Sequence, residues 1–377
     1  MILNILDTIL IKVASRCNLD CSYCYVYNGQ DTSWMEQHKR ISTETVDTLC
    51  RELYKVSTAQ SKGFAVVLHG GEPFLLGEAK LTKLLLELRE ILPDHEKYPI
   101  AIQTNAVLLN NKILDICYKY RVSVSASVDG VREANDIGRF THNGKSSFDK
   151  TIDGIKLLVS HAESNFLFSG TLSVIQPTTN PIDNYDFLKR LGSKSIDILL
   201  QDGNHTFLPA GKDSFESTEY GSWLVELFQY YISDPDPVAI RFFDDIIKIA
   251  LGGTPEKEGK GEQEFGIIVV ETDGEIRKND TLRATFEGVD YFEGRPNIKT
   301  DDSLSNVLNS QEFAKASRVQ NPISQECKTC EIGHICGGGM PLSRWSQEKG
   351  FDNPSVYCND HKLYIGKILE FLGIYAL

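Results

Sequence analysis

No apolar run in this chain approaches the ~18 consecutive residues that a membrane-spanning helix needs, so no membrane partner is expected. The apolar start, residues 1–10, is short, lacks a basic flank and is interrupted by Asp7. That is the pattern of a strand rather than of a signal peptide. Positive charge is scarce: 39 Lys and Arg stand against 52 Asp and Glu, for a net charge of −13. Nucleic-acid binding rewards neutralised phosphates, and no nucleic-acid partner is expected. Cysteine is missing from the whole stretch between Cys117 and Cys327, although the chain has nine. A secreted disulfide framework would come with a signal. Bunched thiols without one point to metal in a reducing, cytoplasmic setting. Neither an internal repeat nor a coiled-coil pattern is present.

What is present is alternation. The 377 residues exceed one minimal core and suggest a large domain with a smaller appendage. Apolar runs at 5–16, 64–69, 100–104, 122–128, 166–175 and 195–201 read as strands. Helical spacing separates them at 43–55, 79–92, 110–118, 148–161 and 185–191. Parallel strands joined by crossover helices are the economical packing of such a pattern. The fold class expected is α/β: a partial (β/α)6 barrel over residues 1–202, with polar or glycine-bearing turns at its strand ends. Ligands meet such barrels at the C-terminal strand ends. Beyond 202 the pattern changes. Residues 203–264 read as a helical linker region, with helices at 220–232 and 238–251 and a Gly-, Glu- and Lys-rich connector. Residues 265–278 read as a hairpin around Asp273-Gly274, followed by a helix at 304–316 and a closing helix at 363–371. Residues 265–377 are thus expected to form a smaller C-terminal domain with its own closing helix.

The chemistry lies in two cysteine sets. Cys17, Cys21 and Cys24 are spaced by three residues and then two. Three thiolates can hold three irons of a cubane cluster, leaving the fourth iron open to a small molecule. Zinc ligation and inert buried thiols are the competing readings, since thiolates suit zinc as well. Gly70-Gly71-Glu72-Pro73 then follows a strand. The glycines allow close backbone approach, Glu72 offers a carboxylate or carbonyl to an ammonium group, and Pro73 fixes the exit; a tight turn before a helix is the plainer reading. The second set is Cys327, Cys330, Cys336 and Cys358. Four thiolates can ligate one cluster or one zinc completely. Cys50 and Cys117 fall on helices and read as core.

With Tyr23 before its last cysteine, the first set resembles the signature of radical S-adenosylmethionine enzymes, and the resemblance covers residues 5–202. It implies a catalytic [4Fe-4S] cluster on Cys17, Cys21 and Cys24 that binds S-adenosyl-L-methionine and cleaves it to a carbon radical. It also implies cofactor contacts at Tyr23, Gly70, Gly71, Glu72, Pro73, Asn105, Ser127, Asp129 and Arg139. The tail resembles the SPASM extension of peptide-modifying members. Asn279 and Met340 stand where that pattern has cysteines for an inner cluster, so one auxiliary [4Fe-4S] cluster is expected, on Cys327, Cys330, Cys336 and Cys358. Asp280 stands where relatives carry a substrate-facing aspartate that takes a proton; a hairpin-end turn former is the alternative.

The resemblance implies an oxidoreductase that matures a ribosomally made precursor peptide. An external donor such as flavodoxin or ferredoxin would supply its electron. A cyclophane cross-link to an aromatic residue is the expected product. Thioether formation or epimerisation, sulfatase-maturase-like oxidation of Cys or Ser, a small-metabolite substrate and a zinc-bearing binding module are the alternatives. Only 16 residues precede Cys17, too few for an added leader-recognition domain there. A leader strand laid on the hairpin at 265–278 is one expected mode of recognition.

Overall fold

A computed structural model describes residues 4–256, 258–318, 322 and 324–374. The chain divides into two compact units, one of residues 1–127, 139–170 and 266–317, the other of 128–138, 171–265 and 318–377.

The first unit is built on β1 (Thr8–Ala14), β2 (Ala65–Gly70), β3 (Ile100–Thr104) and β4 (Val122–Ser127). Neighbours pair in parallel: Ile11 lies opposite Leu68, Leu68 opposite Ile102, and Ile102 opposite Val124. Crossover helices Thr43–Ala59, Glu78–Ile91 and Asn111–Lys119 join them. Ser42 and Asn110 cap the first and last of these through their side-chain oxygens. The sheet's two faces differ. Ile9, Ile11, Val66, Leu68, Ile100, Ile102, Val122 and Val124 are at most 1% exposed. The alternate positions carry Lys12, His69, Gln103, Ser123, Ser125 and Ser127, all half-buried except Lys12, which is buried. A period of two puts these on the opposite face. Parallel strands covered on both faces read as continuous apolar runs, so a polar, partly open face marks a cavity side.

The 265–278 region adds to this sheet. Strand β8 (Ile267–Val270) pairs in parallel with β1, Ile9 opposite Ile268, and turns through Asp273-Gly274 into β9 (Ile276–Arg277), which is antiparallel to it. The expected hairpin is therefore present, but β8 is paired on both sides. Beyond β9, Ile276 N donates to Pro296 O and Lys278 N to Asp290 O. Among the described residues, the outer side of β9 is thus taken up by residues 290–298. The boundaries read at 202 and 264 follow chain order, whereas the two units interleave because β8 returns to β1.

The second unit carries the rest of β5 (Phe168–Val174), with β6 (Ser195–Leu199) and β7 (Ala239–Ile240), again parallel. The first three residues of β5 belong to the other unit, where Ser125 Oγ donates to Gly170 O. Strand β7 was absorbed into the helix expected at 238–251, which begins only at Arg241. The helix expected at 304–316 is two, Ser303–Leu308 and Gln311–Ser317, and the closing helix starts at Cys358, five residues earlier than its apolar spacing indicated.

Candidate active site

The loop after β1 carries Cys17, Cys21 and Cys24. It turns tightly, with Cys24 N donating to Cys21 O at 3.0 Å and Asn28 N to Cys24 O at 2.8 Å. A short antiparallel pairing with residues 140–142 holds it: Asp20 N donates to Phe140 O at 2.7 Å, and His142 Nε2 lies 2.9 Å from Cys17 O. All three cysteines are half-buried, and none is in a disulfide. Two N–H donors face the Cys17 sulfur, Leu19 N at 3.4 Å and Asn105 Nδ2 at 3.7 Å. Burial pushes the Cys17 thiol up to about 12, against the pull of the Leu19 N–H, and the charges of Glu72, Cys21 and Cys24 push the same way. Thiols so placed ionise together only when a cation of high charge offsets them.

The glycine turn after β2 serves this loop directly. A Cβ on Gly70 would lie 2.1 Å from Ala14 O, and one on Gly71 would lie 1.9 Å from Tyr27 Oη and 2.4 Å from the Arg16 carbonyl carbon. The room the glycines leave is taken by the segment that delivers Cys17. Gly71 N and Glu72 N donate back to it, at Ala14 O and Arg16 O. The Glu72 carboxylate is fully buried and accepts from Phe74 N, Thr104 Oγ1 and Asn105 N at 2.8–3.1 Å. It ties the Pro73 turn to the end of β3. Burial pushes this carboxyl up to about 7, against those N–H donors.

Asn105 and Arg139 also meet the loop. Asn105 Nδ2 donates to Asn18 Oδ1 at 2.8 Å, and Arg139 Nη1 to Tyr23 Oη at 2.9 Å. Ser127 lies further along the polar face and accepts from Gln103 Nε2 at 2.7 Å. Asp129 belongs to the second unit, where its carboxylate accepts from Val174 N at 3.1 Å.

Asp280 opens a short 3-10 helix after β9, and its side chain is 2% exposed. Lys12 Nζ donates to Oδ2, and Tyr25 Oη donates to the same oxygen at 2.9 Å. Tyr25 is the residue after Cys24, so one side chain spans the distance from cysteine loop to carboxylate. Burial would raise the Asp280 pKa; the Lys12 ammonium, then His69 and Arg283, outweigh it and hold the carboxyl below its usual range. His69, 3.4 Å from Lys12 Nζ, is pushed down to about 4 by burial and by that ammonium. Asn279 accepts from Thr281 N and Oγ1 at 3.0–3.1 Å and caps the same turn.

The second cysteine set belongs to the second unit. Cys327 lies within one short helical turn and Cys330 just beyond it, Cys336 ends another, and Cys358 begins the closing helix. Cys330 N donates to Cys327 O at 3.2 Å. Burial pushes Cys336 up to about 12, and the other three cysteines add to it. His361 Nδ1 lies 3.2 Å from the Cys336 sulfur. Met340 packs at Gly259, where a Cβ would lie 2.7 Å from its sulfur.

Residues 11–191 match the Radical SAM superfamily. The fold is shared, with a TM-score of 0.81 at 21% identity and 97% coverage of both chains, with a solved structure of native anSMEcpe with bound AdoMet and Kp18Cys peptide. The chain has a radical SAM fold. Its α/β partial barrel is followed by a distinct C-terminal auxiliary subdomain. The chain is 25% identical to a cysteine-type anaerobic sulfatase-maturating enzyme of Clostridium novyi (strain NT), over 98% of this chain and 97% of that one. It also resembles Streptococcus suis SuiB bound to its precursor peptide SuiA, at a TM-score of 0.63, 16% identity, and 93% and 75% coverage.

The residues present fit the cofactors of such an enzyme. Three thiols with N–H donors aimed at a sulfur suit an iron–sulfur cluster, whose potential and stability depend on such hydrogen bonds. Among the described residues no three His, Cys, Asp or Glu side chains converge on a point that one metal ion could occupy. A cubane does not require that, because each thiolate binds a different iron. Sequence reading missed Lys12, Tyr25 and His69. The signal was there for Lys12: a lone cation in the middle of Ile9-Leu-Ile-Lys-Val13, on a buried strand, calls for a partner. No helix among the described residues is long and apolar enough to cross a membrane.

Proposed function

We propose that this radical SAM enzyme oxidises a cysteine or serine side chain within a peptide or protein. In this reading Cys17, Cys21 and Cys24 hold the catalytic cluster and Asp280 takes the substrate proton. One observation carries the reading: Tyr25, next to Cys24, donates to the Asp280 carboxylate. A residue that loses a hydrogen atom at the cluster is then within reach of a base. End-to-end likeness to a cysteine-type sulfatase-maturating enzyme supports it, as does likeness to a structure with a cysteine-containing peptide bound.

Bound at the three cysteines, the cluster and S-adenosyl-L-methionine supply a radical that removes one hydrogen atom from the substrate Cβ. The substrate then loses a second electron and its thiol or hydroxyl proton. A serine gives an aldehyde directly. A cysteine gives a thioaldehyde, which water converts to the aldehyde with release of hydrogen sulfide. Cys327, Cys330, Cys336 and Cys358 would hold an auxiliary cluster able to accept that second electron. The separate electron that starts S-adenosyl-L-methionine cleavage would come from a reduced flavodoxin or ferredoxin.

Lys12 and Tyr25 both donate to Asp280 Oδ2, which leaves Oδ1 for the proton. A carboxylate held at low pKa is a weak base, but the proton shed as a carbon radical is oxidised is strongly acidic, so a weak base suffices. Gln103 and Ser127 line the half-buried face along which a peptide would lie.

A second reading is favoured by Asn279 and Met340. Both are committed to capping or packing, so the inner auxiliary cluster has lost two ligands. That loss departs from the two-cluster pattern of the peptide-modifying members, and a cyclophane cross-link in a leader-bearing precursor peptide, like side-chain oxidation, needs one electron acceptor. The test is incubation of the reconstituted protein with S-adenosyl-L-methionine, a reductant and peptides bearing Cys, Ser or aromatic residues. An aldehyde trapped by a hydrazide supports side-chain oxidation. Loss of two hydrogens with no aldehyde supports the cross-link, and unchanged peptides sink both. Asp280→Asn should keep S-adenosyl-L-methionine cleavage and lower product formation by about 10²-fold or more.

A further inference from the structure

We infer that His361 sets the reduction potential of the auxiliary cluster by donating a hydrogen bond to the Cys336 sulfur. The inference rests on the reading of Cys327, Cys330, Cys336 and Cys358 as iron–sulfur ligands.

The ring is built into place. Its Nδ1 lies 3.2 Å from Cys336 Sγ, and the residue is 5% exposed. Gly339 adopts φ +69°, and a Cβ there would lie 2.5 Å from His361 Cε1, so the glycine run after Cys336 is closed down on this imidazole. Tyr357 stacks on the ring with centroids 6.2 Å apart, and Tyr364 meets it edge-on at 5.6 Å. The helix turn that carries His361 is pinned one residue earlier. Asp360, fully buried, accepts from Lys212 Nζ at 2.7 Å and from Gly221 N at 2.7 Å. None of these contacts is required to hold four thiolates. They fix the direction of one N–H.

A donor aimed at a ligand sulfur stabilises the reduced cluster more than the oxidised one, because the reduced core carries one more negative charge. Arg344, 2% exposed and interacting with Cys327 and Cys336, acts in the same direction. The potential therefore rises, and the cluster is biased to accept an electron. His361 is a positioning and tuning residue, not a ligand.

The experiment uses full-length protein in which Cys17, Cys21 and Cys24 are all replaced by Ala, so that the auxiliary cluster is the sole iron site. Its potential is measured by an EPR-monitored redox titration with His361 intact, as His361→Leu and as His361→Asn, whose amide can still donate near Nδ1. His361→Leu should shift the equilibrium toward the oxidised cluster by about tenfold, some 59 mV for one electron, and His361→Asn should restore most of it. An unchanged potential in His361→Leu overturns the inference, and so does an equal shift in both variants. Loss of iron from His361→Leu overturns it too, since the ring would then be a ligand or a prop. If the parent protein itself binds no iron and sulfide, or binds zinc, the four-cysteine reading fails instead.

Discussion

The two cysteine sets solve different problems with the same ligand. On the proposed reading the first would leave a cluster one ligand short, and its surroundings are polar: Asn105 and Arg139 meet the loop, and Gln103 and Ser127 lie on the half-buried face of the sheet. The second supplies four thiols and is packed with rings and buried charge, Tyr357, His361, Tyr364 and Arg344. An open iron needs room and donors for a cofactor. A closed cluster needs only a defined potential and insulation from water. The difference shows that the number of cysteines and the polarity of their surroundings vary together, as they must if one site does chemistry and the other carries electrons.

The strongest way to break this comparison is to remove one cysteine from each set. Cys17→Ala should abolish S-adenosyl-L-methionine cleavage. Cys358→Ala should keep cleavage and lose the peptide product. Each should lower iron from about eight per chain to about four, by iron and sulfide analysis. Equal loss of cleavage in both would mean that the sets do not divide the work.

Next in size is Lys12→Met. It leaves the Asp280 carboxylate buried without its cation, a loss of about 3–5 kcal/mol for a broken buried pair, read by denaturant unfolding. The carboxyl should also titrate higher, moving product formation toward higher pH while the second cluster's spectrum stays unchanged. Gly71→Ala should follow at about 1–3 kcal/mol, the range for forced overpacking. It should deplete iron from the first set only, because the new Cβ would fall on Tyr27 and Arg16.

The smallest effect is the pH dependence of the polar strand ends. His69, held down to about 4 against an ordinary 6.5, binds fewer protons folded than unfolded between those values, so its contribution makes stability rise with pH there. Glu72, raised to about 7 from 4.5, works the opposite way, and its contribution falls as pH rises through that window. His69→Gln should therefore remove a rise and Glu72→Gln a fall in unfolding free energy between pH 4 and 7. Variants with the same sign would contradict the assigned burial of one of them.

Local pattern carried much of this. The βα alternation, the ligand-bearing loop after β1 and the glycine turn after β2 were legible because each depends on residues close in the chain. Strand β7 was not read, and β8 was read in its hairpin but without its pairing to β1. The first is two residues long and merges with a helix, and the partner of the second lies some 260 residues away. The role of Gly71 was legible only in part, since spacing shows that something must come close but not that Tyr27 and Arg16 do.

By itself the amino-acid sequence determined the cysteine spacing and the alternating architecture, because thiol spacing and hydrophobic period are properties of short segments. Tertiary structure alone decided that Lys12 and Tyr25 converge on Asp280 and that His361 faces Cys336. Those pairs depend on the return of β8 to β1 and on the docking of the closing helix. Such contacts between distant residues are set by packing, which no local pattern encodes.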